Sequence, residues 1–144
     1  IEREFKLIIG DYMKSKIIHP KNWKPAKGYA NGILASNGHL FIGGQIGWNS
    51  QQVFESHTFV GQMEQTLINI VSILEEAGGT INDIVRFTWY IKDKEEYLNN
   101  QKEIGRTYQK IMGQHFPAMA MVIVKDLIEE DAILEIEATA VIIN

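Results

Sequence analysis

Residues 118–124, Ala-Met-Ala-Met-Val-Ile-Val, carry no polar side chain. At the two-residue period of a strand, Met119, Met121 and Ile123 fall on one side and Ala118, Ala120, Val122 and Val124 on the other, so both faces are apolar. A strand of this kind must be covered twice. Two neighbouring segments alternate more conventionally. Leu134, Ile136, Ala138 and Ala140 interleave with Glu135, Glu137 and Thr139, and Val85, Phe87, Trp89 and Ile91 interleave with Ile84, Arg86, Thr88 and Tyr90. Strands buried on one face only follow this second pattern.

The intervening sequence predicts helices. From about Thr58, Phe59, Met63, Leu67, Ile70 and Leu74 recur at helical spacing, with Gln62, Gln65, Asn69, Ser72 and Glu76 expected on the opposite, solvated side. Gly78-Gly79 stops this helix as a left-handed cap would. Asp93 with Glu96 three residues later resembles a capping box and opens a second helix. It carries Tyr97, Ile104, Tyr108 and Ile111 on one face and ends at Gly113. Asn37-Gly38 between two apolar runs predicts a hairpin with a type I′ turn, and the Pro- and Lys-rich stretch Lys21–Lys27 reads as a loop. The expectation is an α+β single domain, β-β-α-β-α-β-β, with two helices on one face of the sheet. Two helices cover one side only. The second apolar face of 118–124 therefore calls for another surface, most economically a second copy of the chain.

Composition bounds the function. At 144 residues and 45% hydrophobic content the chain suffices for one core. No apolar run approaches the roughly 18 residues that read as a membrane span, and no signal-peptide pattern opens the sequence. This favours a cytoplasmic protein. A net charge of −4 and the lack of a Lys/Arg cluster argue against nucleic acid as a partner. With no cysteine there is no disulfide or thiolate chemistry. His19, His39, His57 and His115 are scattered without ligand spacing, no G-x-S-x-G elbow occurs, and Gly43-Gly44-Gln45-Ile46-Gly47 lacks the dinucleotide-binding order. Neither a metal nor a cofactor is indicated. At the N-terminus, Gly10-Asp11-Tyr12-Met13 can be encoded by a ribosome-binding sequence ahead of a start codon. Either Met13 is the natural start, or residues 1–15 are a genuine extension.

Four motifs together carry a family resemblance across about residues 16–143: Gly44-Gln45-Ile46, Ala77-Gly78-Gly79, Phe116-Pro117-Ala118 and Glu135-Ile136-Glu137-Ala138. The chain resembles the reactive intermediate deaminases, the RidA or YjgF family. The resemblance implies a chorismate-mutase-like trimer fold, with small-molecule sites in clefts between subunits and hydrolysis of 2-imino acids to 2-oxo acids and ammonia. It places Glu135 where the family has a water-positioning carboxylate, against the alternative of a solvated edge-strand pair with Glu137. Tyr29 matches a Tyr that closes the cleft, or is a packed surface Tyr. Gly43 and Gly44 match a Ser-Gly pair, so the family's hydroxyl is missing while close backbone approach at Gly44 is kept. Met119 stands where the family has an Arg that grips the substrate carboxylate, and Met121 where many members have Cys. Met119, Met121, Trp89 and Trp48 would make a bulky, apolar pocket, or else belong to the core or a subunit interface. Arg86 and Lys125 are possible replacements for the missing cation.

Three functions follow from the resemblance and its departures. The first is an enamine or imine hydrolase whose substrate is not a standard 2-imino acid. The second is a trimeric metabolite- or partner-binding protein without turnover. A ribonuclease is the third and is disfavoured by the acidic balance.

Overall fold

The structure is a computed structural model and describes residues 14–143. The question of the natural start at Met13 lies outside the described residues.

Six strands form one sheet in the order β1-β2-β3-β6-β4-β5: β1 Lys16–Ile18, β2 Gly32–Leu34, β3 His39–Ile46, β4 Ile84–Ile91, β5 Ala118–Ile123 and β6 Leu134–Val141. Helix α1, Phe59–Glu76, packs against β3 and β6, and α2, Lys94–Asn99, leads into α3, Gln101–Met112. Strand β4 pairs in parallel with β5, as a helical crossover permits, and the other pairings are antiparallel. The core lies between the sheet and the helices. Leu40, Phe87, Trp89, Ile91, Leu134 and Ile136 from the strands meet Phe59, Met63, Leu67, Ile70 and Leu74 of α1.

The α+β single domain matches expectation, and five details depart from it. The short β1 was not foreseen, since three residues are too few for a periodic signal. The second helix is two: the chain breaks at Asn100, whose side chain donates to Glu96 O and whose backbone lies outside the helical region. The hairpin is not type I′. Among its turn residues only Gly38 has positive φ, +90°, and Gly38 N donates to Ala35 O at 3.0 Å, giving a three-residue loop closed by a left-handed glycine. A Cβ at Gly38 would collide with the Ile142 carbonyl. In β4, a register shift between Ile84 and Arg86 turns Ile84 into the core and leaves Val85 exposed, reversing the simple alternation there.

The fifth departure is on α1. Gln62 and Asn69 are fully buried rather than solvated. Gln62 Nε2 donates to Ser56 O at 3.0 Å and Asp131 O at 2.8 Å, while Gln62 Oε1 accepts from Ile133 N at 2.8 Å. Asn69 Nδ2 donates to Ile46 O at 3.1 Å and Trp48 O at 2.8 Å. These two amides satisfy irregular backbone that no ladder reaches. They tie the end of β3 and the loop before β6 to one helix.

Thr58 caps α1 through Gly61 N, and Gly78, at φ +86°, ends it as expected. Strand β5 is the sheet edge, and Met119, Met121, Val122 and Ile123 stay 43%, 37%, 43% and 50% exposed. The single chain leaves that strand uncovered.

Candidate active site

The β3–β6 pairing slips between Ile42 and Gln45, so Gly43 and Gly44 form a bulge opposite Glu137, one step from the Gln45–Ile136 and Ile46–Glu135 pairs. A Cβ on Gly44 would fall 2.7 Å from Glu135 Cδ and 2.9 Å from its Oε1. The carboxyl group therefore fills the space that glycine vacates. The sequence reading gave that space to a ligand. The catalytic candidate itself occupies it.

Glu135 opens onto a cavity of about 310 Å³ whose walls include Tyr29, Gly43, Gly44, Gln45, Trp48 and Glu129. Among the described residues it has no ion pair. Burial pushes its pKa above the ordinary carboxylate range, and the neighbouring Glu137 pushes it further. Glu137 itself accepts a hydrogen bond from the Tyr90 hydroxyl at 2.7 Å. Tyr29 is half exposed at the cavity mouth, and its pKa is raised by burial and then by Glu129.

The cavity floor is set by a side-chain chain of hydrogen bonds. Gln45 Nε2 donates to Asn31 Oδ1 and to Gly43 O, each at 3.2 Å, and Asn31 Nδ2 meets His19 Nδ1 at 3.2 Å. Gln45 and Asn31 are buried. Sequence reasoning missed Asn31, Gln45 and Glu129, together with the supporting Gln62 and Asn69. Gln62, Thr66 and Asn69 are spaced i, i+4, i+7, so a polar stripe beside the apolar one was legible as a second inward face.

Trp89, Met119 and Met121 do not join this group. Trp89 and Met121 are register partners on the helix side of the sheet, where a separate cavity of about 450 Å³ is walled by them with Met119, Tyr97, Tyr108 and Phe116. The Tyr108 and Phe116 rings stack 5.3 Å apart. The Tyr108 hydroxyl donates to His115 O at 2.7 Å, and burial pushes its pKa up to about 12. Trp48 belongs to the first cavity and Trp89 to the second, so the single bulky pocket expected from the sequence is two pockets in one chain. Periodicity places residues on a face but does not say which end of the sheet they reach. Arg86 lines a third hollow with Thr88, Phe41 and Glu137, away from Met119, and Lys125 lines none of these cavities. Among the described residues no group of three His, Asp or Glu side chains could hold a metal.

Residues 20–142 match the family model described as Endoribonuclease L-PSP. The chain is 35% identical to a RutC family protein of Pyrococcus horikoshii, over 89% of this chain and 98% of that one. The chain is a member of the RidA/YjgF family. It is also 34% identical to the 2-iminobutanoate/2-iminopropanoate deaminase of Escherichia coli K12, over 88% of this chain and 98% of the relative. The crystal structure of the YjgF gene product from Escherichia coli superposes with a TM-score of 0.73 at 33% identity, covering 88% of this chain and 98% of that one. For this RidA/YjgF protein, no helix among the described residues is long and apolar enough to cross a membrane.

Proposed function

We propose that the protein hydrolyses the C=N bond of an enamine- or imine-derived metabolite in clefts between the subunits of a cytoplasmic homotrimer. The observation that carries this reading is the Glu135 carboxyl group, part-buried without an ion pair, held over Gly44 and raised in pKa. A carboxylate with a raised pKa is a better proton acceptor than an ordinary one. In the imine form, water held by Glu135 attacks the C=N carbon. A C–O bond forms as the π pair moves to nitrogen, and Glu135 takes a water proton and returns it to that nitrogen. The tetrahedral adduct then collapses with loss of ammonia, leaving a carbonyl. Tyr29, at the mouth, closes over the ligand.

The second cavity completes the site in this reading. The exposed edge strand β5 needs a cover, and a neighbouring copy laid along it would bring its own Glu135 cavity against Met119 and Met121. The 2-iminobutanoate/2-iminopropanoate deaminase relative supports the reaction class. Met119 argues against its substrates, because a thioether offers no bidentate partner for a carboxylate.

That same absence favours a second reading, a trimeric binding protein without turnover. A coupled assay separates the two: an amino-acid oxidase generates 2-imino acids in the presence of semicarbazide, and the natural protein is compared with Met119→Arg. Activity appearing only in Met119→Arg supports a working hydrolytic cleft built for a ligand without that carboxylate. Silence from both, extended to imines of simple amines, refutes the hydrolase.

A further inference from the structure

The walls of the Glu135 cavity are unbalanced in a way that specifies a ligand. Among the described residues they include two carboxylates, Glu129 and Glu135, and no Lys, Arg or His. Neither carboxylate is in an ion pair among the described residues. Gln45 adds a buried observation that points the same way. This side chain is 97% buried, from a residual exposure of 3%, and both hydrogens of its amide are committed, to Asn31 Oδ1 and Gly43 O. Its Oε1 accepts from no described residue, so a wall residue offers an acceptor with no donor among them. The charged and amide atoms left free here are therefore acceptors, beside the Tyr29 hydroxyl and the Trp48 indole N–H. Two aromatic rings, Tyr29 and Trp48, share the wall, and aromatic faces attract cations. The Met119 cavity has no charged side chain among its described lining residues.

We propose that the ligand group bound beside Glu135 is a cationic hydrogen-bond donor, a primary ammonium or a protonated imine, attached to an apolar body that carries no carboxylate. This rests on the preceding reading for the identity of the site and names the class of compound that enters it. The cation would donate to Gln45 Oε1 and the two carboxylates, with its charge against Trp48 and Tyr29. A carboxylate-bearing ligand would set like charges together in a partly desolvated space with no cation to offset them.

Titration calorimetry at low ionic strength on the full chain tests this. The probes are 2-phenylethylammonium and its anionic counterpart of similar size, 3-phenylpropanoate, offered to the natural protein and to Glu129→Gln, an exposed and nearly isosteric change. The expected result is that the cation binds at least about tenfold more tightly than the anion. The preference should shrink several-fold in Glu129→Gln and in added salt. Equal or tighter binding of the anion, binding of neither probe, or a preference that Glu129→Gln leaves unmoved overturns the proposal. The readout does not depend on turnover. A protein that prefers the cation but hydrolyses no imine fails the hydrolase reading alone, and one that hydrolyses imines without charge preference fails this inference alone.

Discussion

The two cavities are built on opposite principles. The Glu135 cavity sits at a bulge, where backbone leaves the ladder and specific hydrogen bonds hold its framework: Gln45 through Asn31 and Gly43, the end of β3 through Asn69, the loop before β6 through Gln62. The Met119 cavity is walled mainly by packing, with Trp89 and Met121 paired across β4 and β5 and Tyr108 stacked on Phe116. The first is a polar site that fixes the position of one carboxyl group. The second is an adaptable apolar surface on an uncovered edge strand. On the proposed reading, geometry that must be accurate is placed in the first, and tolerance of ligand shape belongs to the second.

Changes in each cavity should therefore fail differently. Glu135→Gln removes the proton acceptor while keeping shape, so imine hydrolysis should fall by about 10²-fold or more, whereas ligand affinity by calorimetry should remain within a few-fold. Equal losses of both would merge the two roles. Gln62→Ala removes the partner of Ser56 O, Asp131 O and Ile133 N, three part-buried hydrogen bonds, and should lower stability by about 3 kcal/mol in urea unfolding. Methionine-to-leucine change at Met121, half exposed in the packed cavity, should cost less than about 1 kcal/mol in the same measurement. The smallest effect concerns pH. Glu137 raises the Glu135 pKa, so Glu137→Gln should lower it and move the acidic limb of the pH–rate profile to lower pH. An unmoved limb would assign that limb to another group. The sign for folding is the reverse of a stabilising ion pair. A carboxylate raised in the folded state opposes folding when ionised, so its cost appears as pH rises through the unfolded value and is complete above the folded one.

The contrast also explains what the sequence could convey. Strands β4, β5 and β6, helix α1 and the Gly78 and Gly113 stops were legible because each is a periodic pattern closed by a local signal. Glu135, Tyr29, Gly43 and Gly44, picked out by the family motifs, line one cavity. Trp89, Met119 and Met121 meet in another, because strand alternation assigns a face and only the register assigns a neighbour. Gln62 and Asn69 were misassigned to solvent since their value lies in backbone carbonyls far along the chain, which no local pattern announces. Glu129 lies in a loop without periodicity, and its relation to Tyr29 exists only in three dimensions.

The central claim is that the two cavities act as one cleft contributed by different copies, and complementation tests it most directly. Glu135→Gln disables the first cavity. Gly105→Trp fills the second, where a Cβ at Gly105 meets nothing within 4 Å. Each variant alone should be inactive in the coupled imine assay. Unfolded together and refolded into mixed assemblies of unchanged size, they should regain a substantial fraction of natural activity, because some clefts then pair an intact Glu135 cavity with an intact Met119 cavity. Mixed assemblies that remain inactive, or Gly105→Trp that retains full activity alone, would contradict the account.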